Sequence, residues 1–308
     1  MPLGDRLLTL SDLNQFNAET ERMRMYKLFA VGILSLFCFR CSGDAFAQAP
    51  DFHIYLCFGQ SNMQGSAKIE AQDKTTHDRF LLLQSTNSIY PRRKKGQWVT
   101  AKPPLCRAGT GLGPANSFGK TMLKHLPENI KVGIVHVAVA GCKIELFDKD
   151  QYQNFKKTHE GAWFKKIIDA YDGNPYAHLL DLAKKAKEVG VIKGILLHQG
   201  ESNAGEEDWP SKVKVVYDDL IQDLSLDPKA TPLLAGEVVH ADYDGCCSKI
   251  NITMSRLPEV IPNSHVISSK GCTVQPDKTH FNSAGARLLG KRYAYKMLEI
   301  MGIETGER

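Results

Sequence analysis

The chain has 308 residues, of which 43% are hydrophobic and 24% charged, and its formal net charge at pH 7 is +5. A net charge this small does not by itself indicate a nucleic-acid partner. The dense basic run at residues 92–95 is interpreted as a solvated loop rather than a binding patch.

The N-terminal segment has the layout of a secretory signal peptide. Arg22, Arg24 and Lys27 precede the apolar run at residues 28–37, and the small-residue site Ala-Phe-Ala follows at residues 45–47. A basic region, a short apolar region and an A-x-A site are typical of such peptides. The apolar run is too short to cross a membrane, which needs about 20 residues.

We therefore expect residues 23–47 to be removed by cleavage after Ala47, which predicts a secreted or periplasmic protein without stable membrane association. Residues 1–22 are a polar extension or an artefact of the choice of start codon. A lipid anchor at Cys41 is disfavoured because the preceding residues form a poor lipobox. The remaining residues 48–308 are enough for one sizeable α/β domain.

Six cysteines remain after this cleavage, and an oxidising compartment permits them to form disulfides. Cys57 lies in an apolar run and is expected to be a packed thiol. A disulfide among Cys246, Cys247 and Cys272 would staple the loop ahead of the C-terminal motif. Among residues 48–308, which remain after this cleavage, no C-x-x-C or H-E-x-x-H spacing occurs, so no zinc site is predicted. The other two cysteines are Cys106 and Cys142.

Apolar runs and amphipathic segments alternate along the chain, which predicts a mostly parallel sheet with helices on both faces, a three-layer α/β/α fold in one domain. Runs rich in β-branched and aromatic residues predict strands, and apolar residues at helical spacing predict helices. The predicted strands are residues 54–58, 80–83, 132–141, 191–198, 232–239 and 265–268. The predicted helices are residues 115–126, 176–189, 212–224, 251–257 and 281–301.

Two segments carry no clear pattern. Residues 87–116 are rich in glycine, proline and basic side chains, which predicts a long loop. Trp98 in this segment has two interpretations, a platform for a sugar ring or an anchor that holds the loop. Residues 142–175 are predicted to form an excursion over the active face.

The first predicted strand ends at Gly59, and Gln60 and Ser61 follow at once. A glycine allows a sharp turn, which would leave Ser61 at the carboxyl edge of the sheet, where open α/β folds bind their ligands. A serine at this place is either a nucleophile with a base in reach or the cap of the next helix. The stretch alone favours neither interpretation.

Two more buried strands end in glycine-containing polar turns, at residues 140–141 and 199–203. In a parallel sheet these ends lie along one edge together with Ser61. Just before the last helix stand Asp277 and His280, three residues apart. The carboxylate can fix the imidazole tautomer through Nδ1 and leave Nε2 to accept a proton from Ser61. The four elements together favour a catalytic role.

These motifs resemble those of the SGNH (GDSL-like) hydrolase superfamily. The set Gly59-Gln60-Ser61-Asn62-Met63, Gly141, Gln199-Gly200-Glu201-Ser202-Asn203 and Asp277-x-x-His280 is most similar to the sialate O-acetylesterase-like branch and to the acetylxylan esterases of carbohydrate esterase family 6. The resemblance covers about residues 52–298. It implies a flavodoxin-like three-layer fold, a serine esterase mechanism and no cofactor or metal.

The resemblance implies that Ser61 is the nucleophile, His280 the general base and acid, and Asp277 the carboxylate that orients His280. Glu201 is the alternative acid, since relatives differ in which carboxylate has this role. If Glu201→Gln lost far more activity than Asp277→Asn, the assignment would be reversed.

The oxyanion hole implied by the resemblance comprises the backbone N–H groups of Ser61 and Gly141 and one side-chain amide on the third turn. Gln199 and Asn203 both qualify, and Gln199 is preferred because it lies nearest the strand end. Such donors stabilise the charge of the tetrahedral intermediate.

Gln60, Asn62 and Glu201 are expected to contact substrate. Lys143, next to the second turn, has two interpretations, a contact to an acidic sugar or a solvated surface lysine.

We therefore expect a secreted carbohydrate O-acetylesterase acting on an acetylated polysaccharide or oligosaccharide such as acetylxylan. The alternatives are a sialate O-acetylesterase or another small-acyl esterase, and more distantly a non-catalytic carbohydrate-binding protein on the same fold. A metallohydrolase built on His136, His198 and His240 ranks last.

Overall fold

The computed structural model describes residues 49–159 and 161–306. The predicted N-terminal extension, the signal peptide and its cleavage site, and Cys41, lie outside the described residues. Within these two ranges, the helices are all too short or too polar to span a bilayer.

The described residues contain a seven-stranded sheet whose neighbouring strands are parallel except for one antiparallel pair at the edge. The strands are β1 (Ala49–Gly59), β2 (Phe80–Leu83), β3 (Trp98–Thr100), β4 (Lys131–Ala138), β5 (Gly190–His198), β6 (Leu233–Gly236) and β7 (Ser264–Ile267). Their order across the sheet is β3-β2-β4-β1-β5-β6-β7, and β3 pairs antiparallel with β2.

Helices alternate with these strands and cover the sheet on both sides. They are α1 (Ser61–Gln64), α2 (Pro114–His125), α3 (Tyr152–Lys157), α4 (Ala162–Asp169), α5 (Pro175–Lys187), α6 (Trp209–Asp223), α7 (Ile250–Met254), α8 (Leu257–Val260) and α9 (Ser283–Ile300). The predicted mostly parallel α/β architecture is confirmed.

The central strand β1 is buried on both faces, because its alternate side chains meet different helical layers. Tyr55 packs edge-on against Phe118 of α2, with ring centroids 4.8 Å apart. Phe58 points to the opposite face and meets Phe147 at 5.2 Å. Burial of such side chains on both faces contributes most of the favourable free energy of folding.

The six predicted strands and the longer predicted helices are all present, with ends shifted by a few residues. Two patternless segments are more structured than expected. The predicted loop 87–116 contains β3, and residues 142–175 contain α3, α4 and a 3₁₀ helix at Ile144–Phe147. Trp98 lies on β3 and packs on Phe52 at 4.9 Å, so it anchors this edge of the sheet.

The strand order β4-β1-β5 brings the three polar turns side by side. Gly59, the last residue of β1, is in register with Ala138 of β4 and with His198 of β5. The Gln60 N–H donates to the His198 carbonyl oxygen at 2.9 Å, which joins the first turn to the third. The sheet topology therefore assembles the site.

Gly59→Ala is expected to destabilise the protein by about 3 kcal/mol or more. Gly59 has φ +141°, and a Cβ added there would lie 2.1 Å from the His198 carbonyl oxygen. Urea unfolding monitored by circular dichroism measures the loss. Gly161→Ala is the control, since an added Cβ there meets nothing within 4 Å. Equal stabilities of the two variants would contradict the expectation.

Candidate active site

Ser61 is the first residue of α1, directly after the β1 turn, and is 6% exposed. The helix places its hydroxyl at the carboxyl edge of the sheet and leaves the first backbone N–H groups without intrahelical acceptors. The structure records no side-chain hydrogen bond that caps α1. The Ser61 hydroxyl bonds to His280 instead.

Ser61, His280 and Asp277 form one hydrogen-bonded chain. The Ser61 hydroxyl donates to His280 Nε2 at 2.9 Å, and His280 Nδ1 donates to Asp277 Oδ2 at 2.7 Å. The backbone N–H groups of Thr279 and His280 donate to Asp277 Oδ1 at 3.0 and 2.9 Å. The carboxylate is thereby fixed, and it selects the tautomer in which Nε2 can accept the serine proton.

The surroundings of Asp277 keep it ionised. Partial burial acts to raise its pKa, but the hydrogen bonds from the His280 ring and from two backbone N–H groups outweigh that effect and hold the pKa below the ordinary aspartate value. An ionised Asp277 can stabilise the imidazolium that forms when His280 takes a proton.

Glu201 does not take the position of Asp277 next to the imidazole. Its Oε1 accepts a hydrogen bond from Asn62 Nδ2 at 2.7 Å and lies 4.0 Å from His198 Nδ1. Among the described residues its Oε2 has no hydrogen-bond partner. Glu201 thus contacts Asn62 of the nucleophile turn, whereas His280 Nδ1 is bonded to Asp277.

Asn62 is expected to contact substrate, and the structure shows its contacts within the protein. It is 4% exposed, and its Nδ2 donates to Glu201 Oε1 and to the Thr279 carbonyl oxygen, while its Oδ1 accepts from the Phe281 N–H. The side chain therefore links the nucleophile turn to the segment that carries His280.

Gln60 and the third turn form a second buried link. Gln60 is 3% exposed, and its Oε1 accepts from Gln199 Nε2 and from the backbone N–H groups of Gly200 and Ser202. These bonds hold the first and third turns together. The Oε1 atom of Gln60 is thus used within the protein, and the expected contact of Gln60 with substrate stays a prediction.

Gly141 lies where the oxyanion prediction needs it, directly after the β4 turn. It is solvent-exposed with φ +73°, a conformation that glycine adopts without penalty. Its N–H and that of Ser61 are on neighbouring turns of one edge. Their role as oxyanion donors stays a prediction.

Neither side-chain amide of the third turn is available as a third donor in this structure. Gln199 is fully buried. Its Nε2 donates to the Gln60 side chain, the Cys142 carbonyl oxygen and the Asn203 side chain. Its Oε1 accepts from Trp209 Nε1. Asn203 Nδ2 donates to two glutamates. These contacts disfavour both candidates, because a donor to the oxyanion must face the substrate.

A cluster of ion pairs and hydrogen bonds joins Lys143, next to the second turn, to Asn203 of the third turn through Glu206. Glu206 accepts hydrogen bonds from Lys143, Lys212 and Asn203. Lys212 also pairs with Glu145 at 3.0 Å. Lys143 is thus paired with a carboxylate of this chain, and its contact with an acidic sugar stays a prediction.

The ion-pair cluster is expected to make stability depend on pH. Burial acts to raise the pKa of Glu206, but the bonds from two lysines and Asn203 lower it to about 2, from an ordinary value of 4.5. A lowered pKa gives stability that is full above pH 4.5 and is lost as the pH falls toward 2.

Glu206→Gln is therefore expected to lower the free energy of unfolding by on the order of 1–2 kcal/mol at pH 7, and by much less at pH 3. Urea unfolding at the two pH values measures both differences. Glu207→Gln is the control, because that side chain is largely exposed. An undiminished difference at pH 3 would refute this account of Glu206.

The six cysteines outside the predicted signal peptide are free thiols in this structure. Cys246 Sγ lies 3.1 Å from Cys247 Sγ, longer than a disulfide bond, and 3.1 Å from Thr279 Oγ1. Cys272 is buried beside Arg292. The predicted disulfide among the three is thus not formed here.

Cys57 and Cys142 are fully buried, and burial raises the pKa of both thiols.

The histidines of the metallohydrolase alternative do not cluster. Within the described ranges, no group of three or more His, Cys, Asp and Glu side chains is arranged to hold a metal ion. His136 and His198 are fully buried, and burial lowers the pKa of both, that of His136 to about 4.

One aromatic residue at this edge has no counterpart in the sequence predictions. Trp163 on α4 is 58% exposed, and a Cβ added to Gly141 would lie 3.4 Å from its Cη2 atom. Residues 142–175 show no clear hydrophobic period that would place Trp163. The one available signal was that this segment was expected to cross the active face.

Comparisons with known proteins bear on this site. The family model described as "carbohydrate esterase, sialic acid-specific acetylesterase" matches residues 51–299. A solved structure of a protein from Arabidopsis thaliana is 19% identical, with a TM-score of 0.64, and the match covers 82% of this chain and 99% of that chain.

Two further solved structures are similar. NanS is 15% identical with a TM-score of 0.61, over 82% of this chain and 99% of that chain. A carbohydrate acetylesterase from Xanthomonas citri is 17% identical with a TM-score of 0.58, over 82% of this chain and 56% of that chain. At these identities the structural likeness shows the fold alone.

Proposed function

Because this chain belongs to the carbohydrate esterase family of sialic acid-specific acetylesterases, we propose that it removes O-acetyl groups from a carbohydrate by serine catalysis. The family match confirms the resemblance drawn from the motifs. The observation that carries the proposed mechanism is the hydrogen-bonded chain from Ser61 through His280 to Asp277.

In the proposed mechanism the Ser61 hydroxyl attacks the acetyl carbonyl carbon while His280 Nε2 takes its proton. The backbone N–H groups of Ser61 and Gly141 stabilise the oxyanion of the tetrahedral intermediate. His280 then returns the proton to the sugar oxygen as the C–O bond breaks, which leaves an acetyl-enzyme. A water molecule activated by His280 releases acetate and restores Ser61.

The substrate proposed first is acetylated xylan or its oligosaccharides, as the motif resemblance implies. O-acetylated sialic acid is the second candidate, and the description of the matched family favours it. Lys143, which could contact an acidic sugar, is paired with Glu206 in this structure, so the two sugars have to be compared directly.

Acetate release from acetylated xylo-oligosaccharides and from O-acetylated sialic acid tests the proposal. Wild type and Ser61→Ala are compared on each substrate. Release by wild type from either sugar, lost in the variant, supports an O-acetylesterase and identifies the preferred class. Folded wild-type protein that binds glycans but releases no acetate would favour the non-catalytic alternative.

We also propose that the protein is exported, on the strength of the signal-peptide pattern at residues 23–47. An acetylated polysaccharide outside the cell is the substrate this location would suit. N-terminal sequencing of protein from the culture medium or periplasm checks the cleavage after Ala47.

A further inference from the structure

Helix α4 has buried apolar residues on one side and an exposed tryptophan on the other. Phe164 and Ile168 are buried, whereas Trp163 is 58% exposed. Ligand sites are lined by hydrophobic and aromatic side chains, and tryptophan offers a large apolar face with one polar atom. The other two tryptophans of the chain serve the fold, since Trp98 packs on Phe52 and Trp209 is fully buried.

Trp163 lies at the second turn of the site. A Cβ added to Gly141 would lie 3.4 Å from Trp163 Cη2 and 3.8 Å from Cζ2, so one edge of the indole borders this glycine. Gly141 itself is exposed and provides a candidate oxyanion donor. A ligand whose acetyl group reaches Ser61 and Gly141 would therefore have its remaining atoms near the indole.

Among the described residues, the indole contacts one aromatic ring, that of Phe164, its neighbour in sequence. Its ring meets Phe164 edge-on at 5.7 Å, with an interplanar angle of 76°. Phe164 in turn meets Phe155 at 5.9 Å and His159 at 5.6 Å, and Phe155 stacks on His159 at 3.9 Å. The base of the indole thus rests on a packed aromatic cluster, while most of the side chain faces solvent.

We propose, on the basis of the proposed esterase function, that Trp163 forms a sugar-binding subsite on which a pyranose ring of the substrate stacks while its acetyl group lies at Ser61. One face of a pyranose carries C–H groups and is apolar, so it gains by covering an indole face. The ring hydroxyl groups at its rim stay in water. Trp163 thereby selects esters of sugars over esters of small alcohols.

The experiment compares a sugar ester with an ester that has no ring. The value of kcat/KM is measured for an acetylated oligosaccharide, the one that wild type cleaves best, and for ethyl acetate. In Trp163→Ala the ratio of the two values should fall about tenfold, mainly through a higher KM for the sugar ester. Trp163→Phe, which keeps an aromatic face, should restore part of the ratio.

Tyr90→Ala is the matched control, because Tyr90 is an aromatic residue exposed to 89% on the loop between β2 and β3. It should leave both values unchanged. Equal losses on both esters in Trp163→Ala would overturn the subsite and indicate a structural role beside Gly141. Wild-type values of kcat/KM for both esters in Trp163→Ala would overturn the subsite as well.

A binding measurement separates this proposal from the proposed function. Calorimetric titration of Ser61→Ala with acetylated xylo-oligosaccharides should show binding that the Ser61→Ala, Trp163→Ala double variant loses. That result supports the subsite even if wild type releases no acetate, in which case the esterase proposal alone fails. Equal binding by both variants, or no binding by either, would overturn the subsite.

Discussion

Replacement of Ser61 by alanine is expected to lower kcat for acetyl-ester hydrolysis by a factor of about 10⁴ or more. In the proposed mechanism the hydroxyl oxygen forms the acetyl-enzyme, and His280 Nε2 lies 2.9 Å from it. Without this oxygen, only the oxyanion donors and substrate binding remain to accelerate attack by water. Acetate release under saturating substrate measures the loss.

The control for this variant is Ser202→Ala on the third turn. Ser202 is a half-buried serine of the same edge, and its backbone N–H rather than its hydroxyl bonds to Gln60. It should retain activity within a few-fold of wild type. If Ser61→Ala kept more than about a hundredth of the wild-type kcat, nucleophilic catalysis by Ser61 would be refuted.

Asp277→Asn is expected to lower kcat by about 10³ to 10⁴-fold, as loss of the orienting carboxylate does in other serine hydrolases. An amide can present its N–H₂ group to His280 Nδ1, which would stabilise the tautomer with the proton on Nε2. That tautomer cannot accept the serine proton. The measurement is kcat on the preferred ester, with the fold checked by circular dichroism.

Glu201→Gln is the matched comparison and should cost far less, about tenfold or below. A glutamine Oε1 can still accept the hydrogen bond that Asn62 Nδ2 now donates to Glu201 at 2.7 Å. The reverse order of losses would transfer the orienting role to Glu201. This pair of variants therefore decides between the two acids that the motif resemblance left open.

The fold could be predicted because its pattern is local and repeated. The parallel strands β1, β4 and β5 are largely buried on both faces. Their sequences are therefore mostly apolar runs that end in a polar turn. The proximity of Ser61 to the Asp277–His280 segment was also predictable. The three-residue spacing lets carboxylate and imidazole meet, and the resemblance of the four motifs to a known family joined that pair to Ser61.

The functions of the neighbouring polar residues were not predictable in the same way. Gln60, Asn62, Gln199 and Asn203 stand in turns where a polar side chain can equally face substrate or satisfy a buried backbone group. Only the three-dimensional contacts show that all four are buried and hydrogen-bonded within the protein. The structure therefore shows internal contacts for these residues, and their expected contacts with substrate stay predictions.

The remaining differences arise where tertiary contacts outweigh local sequence. Strand β3 has three residues in a segment rich in glycine and proline, and its pairing with β2 determines it. Trp163 stands in a segment without a clear hydrophobic period, and its place beside Gly141 depends on how α4 packs through Phe164. Neither feature has a periodic signal along the chain.

The most direct test of the account is to identify the residue that becomes covalently modified during turnover. Wild type is treated with a serine-directed organophosphonate, and the modified peptide is identified by mass spectrometry alongside the loss of activity. We predict modification of Ser61 in parallel with inactivation, and little modification in His280→Ala. Inactivation with the modification on another residue, or full activity with Ser61 modified, would contradict the account.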